Sequence, residues 1–136
     1  MALVKRYELR SGIVCDAAYH VIHEIKTTKR MVDDPDPDGV RPTNAPTHIW
    51  KSGLYGRISV VVYASKEARE SGKAPLALYA QYPTDAPINF QGEIHVVQDG
   101  TDMNFEIDNS ENAPPIQDQA YTHLMTQGPW QGAIPA

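Results

Sequence analysis

Asp34, Asp36 and Asp38, closed by Gly39, are the stretch of this chain whose spacing comes nearest to a ligand set. Carboxylates at alternate positions of a tight turn can converge on a hard cation such as calcium, and a glycine permits the bend. The pattern then stops. The twelfth position of such a loop is Ala45 rather than a bidentate glutamate, and Pro35 and Pro37 stiffen the segment. A solvated acidic loop is the competing reading. His20 and His23 are three residues apart, so on a strand they face opposite sides and cannot chelate one ion. His123, beside Tyr121 on a late helix, reads as a surface or interface residue. Cys15, the single cysteine, sits in the apolar run Ile13–Val14–Cys15 and reads as a small core residue with no base beside it. No serine occupies a nucleophile elbow and no glycine-rich loop leads from a strand into a helix. An enzyme is not expected, and no cofactor beyond the calcium candidate is implied.

The bulk properties narrow the partners. The net charge is −5 over 136 residues, without a basic block, which gives nucleic-acid binding little electrostatic support and argues against an acidic membrane. Lys5, Arg6, Glu8 and Arg10 interrupt any signal-peptide core, and no run approaches a membrane span. The chain reads as one domain made in the cytosol. Eleven prolines and nine glycines favour short strands and loops over long helices.

The elements that would carry these residues centre on Tyr55 to Tyr82. Ile58, Val60 and Val62 alternate with Arg57, Ser59, Val61 and Tyr63 as one strand, and Leu76, Leu78, Ala80 and Tyr82 as another. Between them Ser65 can cap a helical turn that Gly72 closes in a left-handed conformation. Upstream, Leu3 to Arg10 reads as a strand ending at the turn Ser11–Gly12. Ile13 to Lys29 reads as one long bent strand or two, with Tyr19, Val21, His23 and Ile25 on one parity; a helix over Asp16–Lys29 is the alternative. Residues 33–48 read as a projecting acidic, proline-rich loop. Downstream, Asp99–Gly100 predicts a hairpin between Val96–Val97 and Met103–Phe105–Ile107. Pro114 and Pro115 open a helix whose stripe is Ile116, Ala120, Tyr121, Leu124 and Met125, and Gly128–Pro129 stop it. Residues 129–136 read as a short tail with an exposed Trp130. The fold expected is mainly β: a small antiparallel sandwich or curled sheet of about seven short strands with one C-terminal helix.

The chain has seven tyrosines and two tryptophans but only two phenylalanines. Amphipathic aromatics suit surfaces that are packed on one side and wet on the other, although half-buried sheet faces use them too. Trp50, Tyr55, Tyr121, Trp130 and Ile134 are the interface candidates.

The segments VVYASKEARESGKAPLALYAQY (61–82) and IQDQAYTHLMT (116–126), with Ala18–Tyr19–His20–Val21 before them, resemble a group of small tailed-bacteriophage proteins encoded among tail and baseplate genes. The resemblance implies a virion structural part, an adaptor or hinge in a tail or baseplate. It would be made in the host cytoplasm and contact other virion proteins, in a homo-oligomer. A capsid decoration or head–tail connector is the neighbouring reading; a carbohydrate or small-ligand module is the reading from another class. The resemblance supplies no catalytic residues. The chain departs from the group at Asp33–Gly39 and around Asp99–Gly100.

Overall fold

The computed structural model describes residues 2–34, 49–97 and 100–136. The fold is mainly β, a curled sheet with one C-terminal helix. Among the described residues the strands are β1 (Leu3–Val4), β2 (Tyr7–Glu8), β3 (Val14–Cys15), β4 (Tyr19–Asp34), β5 (Ile49–Tyr63), β6 (Ala77–Ala80), β7 (Glu93–Val96), β8 (Asn104–Glu106) and β9 (Ile134–Pro135), with helices α1 (Lys66–Glu70) and α2 (Ile116–Leu124). The main sheet runs β7-β6-β5-β4-β1-β9, with β8 also on β5; β2 and β3 form a separate hairpin.

The expected single strand over Leu3–Arg10 is divided. Its first part joins the main sheet as β1, and its second folds back through Gly12 at φ +92° into the β2–β3 hairpin. The central unit folds as its residues require. Ser65 Oγ accepts the Ala68 amide at 3.0 Å, and Gly72 at φ +78° ends the turn. Gln98 and Asp99 of the expected hairpin lie outside the described residues, and the strands on either side of Gly100 do not pair with each other. β7 pairs with β6, and in parallel, whereas β8 pairs with β5. The sheet is therefore mixed rather than wholly antiparallel. Gly100 is in the left-handed region (φ +90°), but the more deeply buried strands β5 and β6 offer each segment a better-covered neighbour.

β4 and β5 pair over their whole lengths, Tyr19 with Tyr63 at one end and Asp34 with Ile49 at the other. The register slips between Ile22 and Glu24, so His23 is the extra residue of a bulge. This overturns the unbroken parity read from the sequence. Ile22 and Ile25, three apart, both pack into the same core cluster, while Glu24 and Lys26 pass to the face of Tyr19 and Val21.

One face of the sheet carries Leu3, Ile22, Ile58, Val60 and Phe105 against Ala120, Tyr121, Leu124 and Trp130. The other carries Tyr19, Val21, Val61, Leu78 and Ala80, with Ala86 and Phe90 packed over them. Burial on both faces explains why β5 reads as Val60–Val61–Val62 without a polar break. The α2 stripe is buried at Ala120, Tyr121 and Leu124, but Ile116, the first residue of the helix, is exposed.

Trp130 is the largest correction. It is fully buried, in a 3-10 turn over Gly128–Trp130 that returns the chain to the sheet. The segment after it pairs as β9 with β1, Ile134 opposite Val4, so the expected tail is a strand of the main sheet.

Candidate functional site

Of the five interface candidates, two are core residues. Tyr121 is fully buried, and its hydroxyl accepts the Ile22 amide at 3.0 Å, filling the edge position of β4 just beyond the end of β1. Burial raises the Tyr121 phenol above its ordinary value. Trp130 Nε1–H donates to His20 Nδ1 at 3.1 Å. An indole nitrogen can only donate, so Nδ1 is bare and Nε2 carries the proton, which it gives to the Lys5 carbonyl at 3.1 Å. His20 is thus neutral, and burial holds it down at about 4. The core histidine orients a core tryptophan; neither is available to a partner.

The other candidates lie elsewhere. Ile134 is 66% exposed on the edge strand β9. Tyr55 is half-buried on β5, between Thr28 and Glu106 of the neighbouring strands, with its ring over Gly53. The Trp50 and Asp34 side chains, and Asp36 and Asp38 entirely, lie outside the described residues. Among the described residues no group of three His, Cys, Asp or Glu is placed to hold a metal ion. No helix of the described residues is long and apolar enough to cross a membrane. Cys15 is half-buried in the hairpin beside Tyr7 and Ala18 rather than in the main core.

Two polar clusters escaped the sequence reading. In the first, Tyr7 Oη donates to Glu93 Oε1 at 2.6 Å and accepts from His95 Nε2 at 2.6 Å, while the Arg10 amide donates to Glu93 Oε2 at 2.7 Å. The Tyr7 and Arg10 hydrogen bonds hold the Glu93 carboxyl below its ordinary range, and burial, helped by Glu93, raises the Tyr7 phenol. Burial also lowers His95, whose ring stacks on Tyr79 with centroids 4.7 Å apart. Both Glu93 oxygens are engaged, so the chain clamps the β2–β3 hairpin to the edge strand β7 rather than presenting a base. Beside it lies an open cleft of about 640 Å³ lined by residues including Leu9, Arg10, Leu76, Phe90 and Glu93.

The second cluster is on the opposite face. Asp85, in a 3-10 turn after β6, accepts from Arg57 Nε and Nη2 at 2.9 Å each and from Lys26 Nζ at 3.0 Å. Burial pushes the Asp85 carboxyl up, but the bonds from Arg57 and Lys26 outweigh it and leave the group below the ordinary carboxylate range. The Arg57 guanidinium lies over the half-exposed Tyr82 ring, 4.9 Å from its centroid. Lys26, Arg57 and Asn104 are cross-strand partners on β4, β5 and β8, followed by the row Thr28, Tyr55 and Glu106. This gives a polar three-stranded face with a fixed arginine and two tyrosines, a composition enriched at the centres of protein interfaces. The missed signal was Asp85, hidden in a loop sequence whose distant basic partners no spacing rule connects to it.

Beyond these rows β4 and β5 continue as a two-stranded ribbon. β8 and the bond from the Ile107 amide to the Leu54 carbonyl (2.8 Å) support β5 as far as Leu54; the pairs from Arg30–Gly53 to Asp34–Ile49 have no third strand among the described residues. Comparison with protein-family models, curated proteins and solved structures gives no match.

Proposed function

We propose that the chain is a structural subunit of a bacteriophage virion, an adaptor or hinge in the tail or baseplate that links neighbouring parts by protein–protein contacts. The observation that carries this reading is the β4–β5 ribbon. Its five outer residue pairs extend roughly 17 Å past the last supporting strand among the described residues, at about 3.4 Å per residue. A two-stranded ribbon is marginal in water by itself. One that outruns its own sheet gains most of its order from docking on something else. The Arg57–Tyr82 face at its base supplies a rigid contact surface next to that arm. The resemblance of residues 61–82 and 116–126 to small tail and baseplate proteins supplies the kind of assembly.

The test is quantitative mass spectrometry of purified particles. A fixed ratio to the major tail protein is expected, with few copies per particle. Hundreds of copies would move the chain to the head as a decoration protein. Absence from particles, with abundance in infected cells, would overturn the reading. The cleft beside Glu93 favours one rival, a small-ligand or glycan module, which a glycan-array signal would support.

A further inference from the structure

We infer that the free edge of β4 between Ile25 and Lys29 receives an extended acidic segment of another protein as an added strand. The inference rests on the reading of the chain as an assembly subunit and names how the ribbon is engaged.

Backbone direction comes first. The Ile58 amide bonds to Met103 and the Val62 carbonyl accepts from Leu76, so the even residues of β5 turn their polar groups away from β4. Ile58 is opposite Ile25, and antiparallel partners alternate between bonding each other and facing outward together. Ile25, Thr27 and Lys29 therefore direct their amides and carbonyls to the far edge of β4. β1 covers that edge only at Tyr19–His20, and Tyr121 Oη takes the Ile22 amide; past the bulge, nothing among the described residues pairs with it. Thr27, Thr28 and Lys29 are exposed, and Thr is a strong strand former.

Charge selects the occupant. The chain carries net −5, yet along this edge Lys26 and Lys29, with Arg30 next in sequence, outnumber the one acid, Glu24. Lys26 already reaches Asp85, and Lys29 has no ion pair among the described residues. A second copy of β4 paired antiparallel about Thr27, the register that uses all three outward residues, sets Lys29 against Ile25 and Lys26 against Thr28 and offers neither lysine an acid. An acidic strand is attracted instead. Lys26 and Lys29 are three apart beyond the bulge, so they lie on opposite faces. The fitting segment therefore has acidic residues three apart, one per face, with β-branched residues between them: main-chain bonds for affinity and side-chain charges for register.

The test uses the full chain and the acetylated peptide VTEVTEVT. Titration should slow hydrogen exchange at Ile25, Thr27 and Lys29 in the chain. Methylating alternate peptide nitrogens should abolish the effect. Lys29→Glu should weaken binding about fivefold or more, and the charge-swapped peptide VTKVTEVT should restore it to that variant. Four results would each overturn the inference: no protection at these amides, equal binding of the methylated peptide, equal protection by a DNA duplex, or protection that grows with protein concentration without peptide. Particle mass spectrometry reads the structural role separately, so a chain found in particles but indifferent to the peptide would refute the edge and leave the proposed function standing.

Discussion

The indole N–H of Trp130 ends on Nδ1 of His20, 3.1 Å away and 110 residues earlier in the chain. The bond ties the C-terminal turn to the start of β4, and with the Ile134–Val4 pairing it draws the last strand into the sheet. Trp130→Phe keeps one aromatic ring but removes the donor and part of the indole volume, and should cost about 2–3 kcal/mol in urea unfolding. Trp130→Ala also opens a cavity and should cost roughly 3–5 kcal/mol. Unfolding curves unchanged by either substitution would remove Trp130 from the core.

The same pair makes stability depend on pH. The folded His20 value, about 4, lies below its ordinary 6.5, so the unfolded chain takes up the proton first. This contribution is full above about pH 6.5, shrinks as pH falls toward 4 and is gone below it; the whole difference is roughly 3 kcal/mol. His95 is lowered as well and acts in the same direction. Unfolding free energies at about pH 7 and about pH 4.5 should differ by an appreciable part of this, and His20→Gln should start less stable and fall less steeply. Nitrogen-detected NMR should show a neutral His20 with the proton on Nε2 at neutral pH.

Asp85 joins the polar face to the sheet. Asp85→Ala leaves Arg57 and Lys26 without their shared anion and should cost roughly 2–4 kcal/mol, less than a fully buried pair because Arg57 is partly wet. Its lowered carboxyl value gives stability that is present above the ordinary Asp range and lost as pH falls through the folded value. The Arg57→Lys variant keeps the charge but not the two parallel bonds. It should recover only part of the stability in thermal unfolding; full recovery would reduce the arrangement to simple charge pairing.

Gly56 is required by closeness rather than by a turn. A Cβ there would meet Phe105 Cε1 at 2.6 Å and Ile25 Cγ2 at 3.0 Å, because the Phe105 ring lies across the glycine from the paired strand. Gly56→Ala should destabilise by about 1–3 kcal/mol through overpacking. Calorimetry should read the loss as a lower Tm, and chemical shifts should place the damage at β5 and β8, with the β2–β3 hairpin unaffected.

What was legible in the sequence is what is local. The Val60–Val62 run, the Ser65 cap, Gly72, the turn at Gly12 and the α2 stripe around Tyr121 each follow from neighbours within a few residues. The misreadings are all long-range. Nothing near Trp130 announces that His20 waits for its N–H, and the strands on either side of Gly100 find other partners than each other. The bulge at His23 is silent in an alternating pattern, because Val21–His23–Ile25 and the observed Ile22–Ile25 pairing are both plausible until β5 sets the register. The Asp85 cluster brings together residues 26, 57 and 85, which are linked only by the sheet.

The bulge also separates the evolution of the arm from that of the body. Residues on the N-terminal side of His23 obey one phase of the double-sided core, and those beyond it obey a second phase set by pairing with β5, which returns Ile25 to the core face of Ile22. Two residues added to each strand past Lys29 and Leu54 would lengthen the arm by about 7 Å and leave every side chain on its present face. A single residue added to one strand would turn the whole outer segment over. The reach of the ribbon can therefore change in even steps to suit a differently spaced neighbour, without any core position having to change with it.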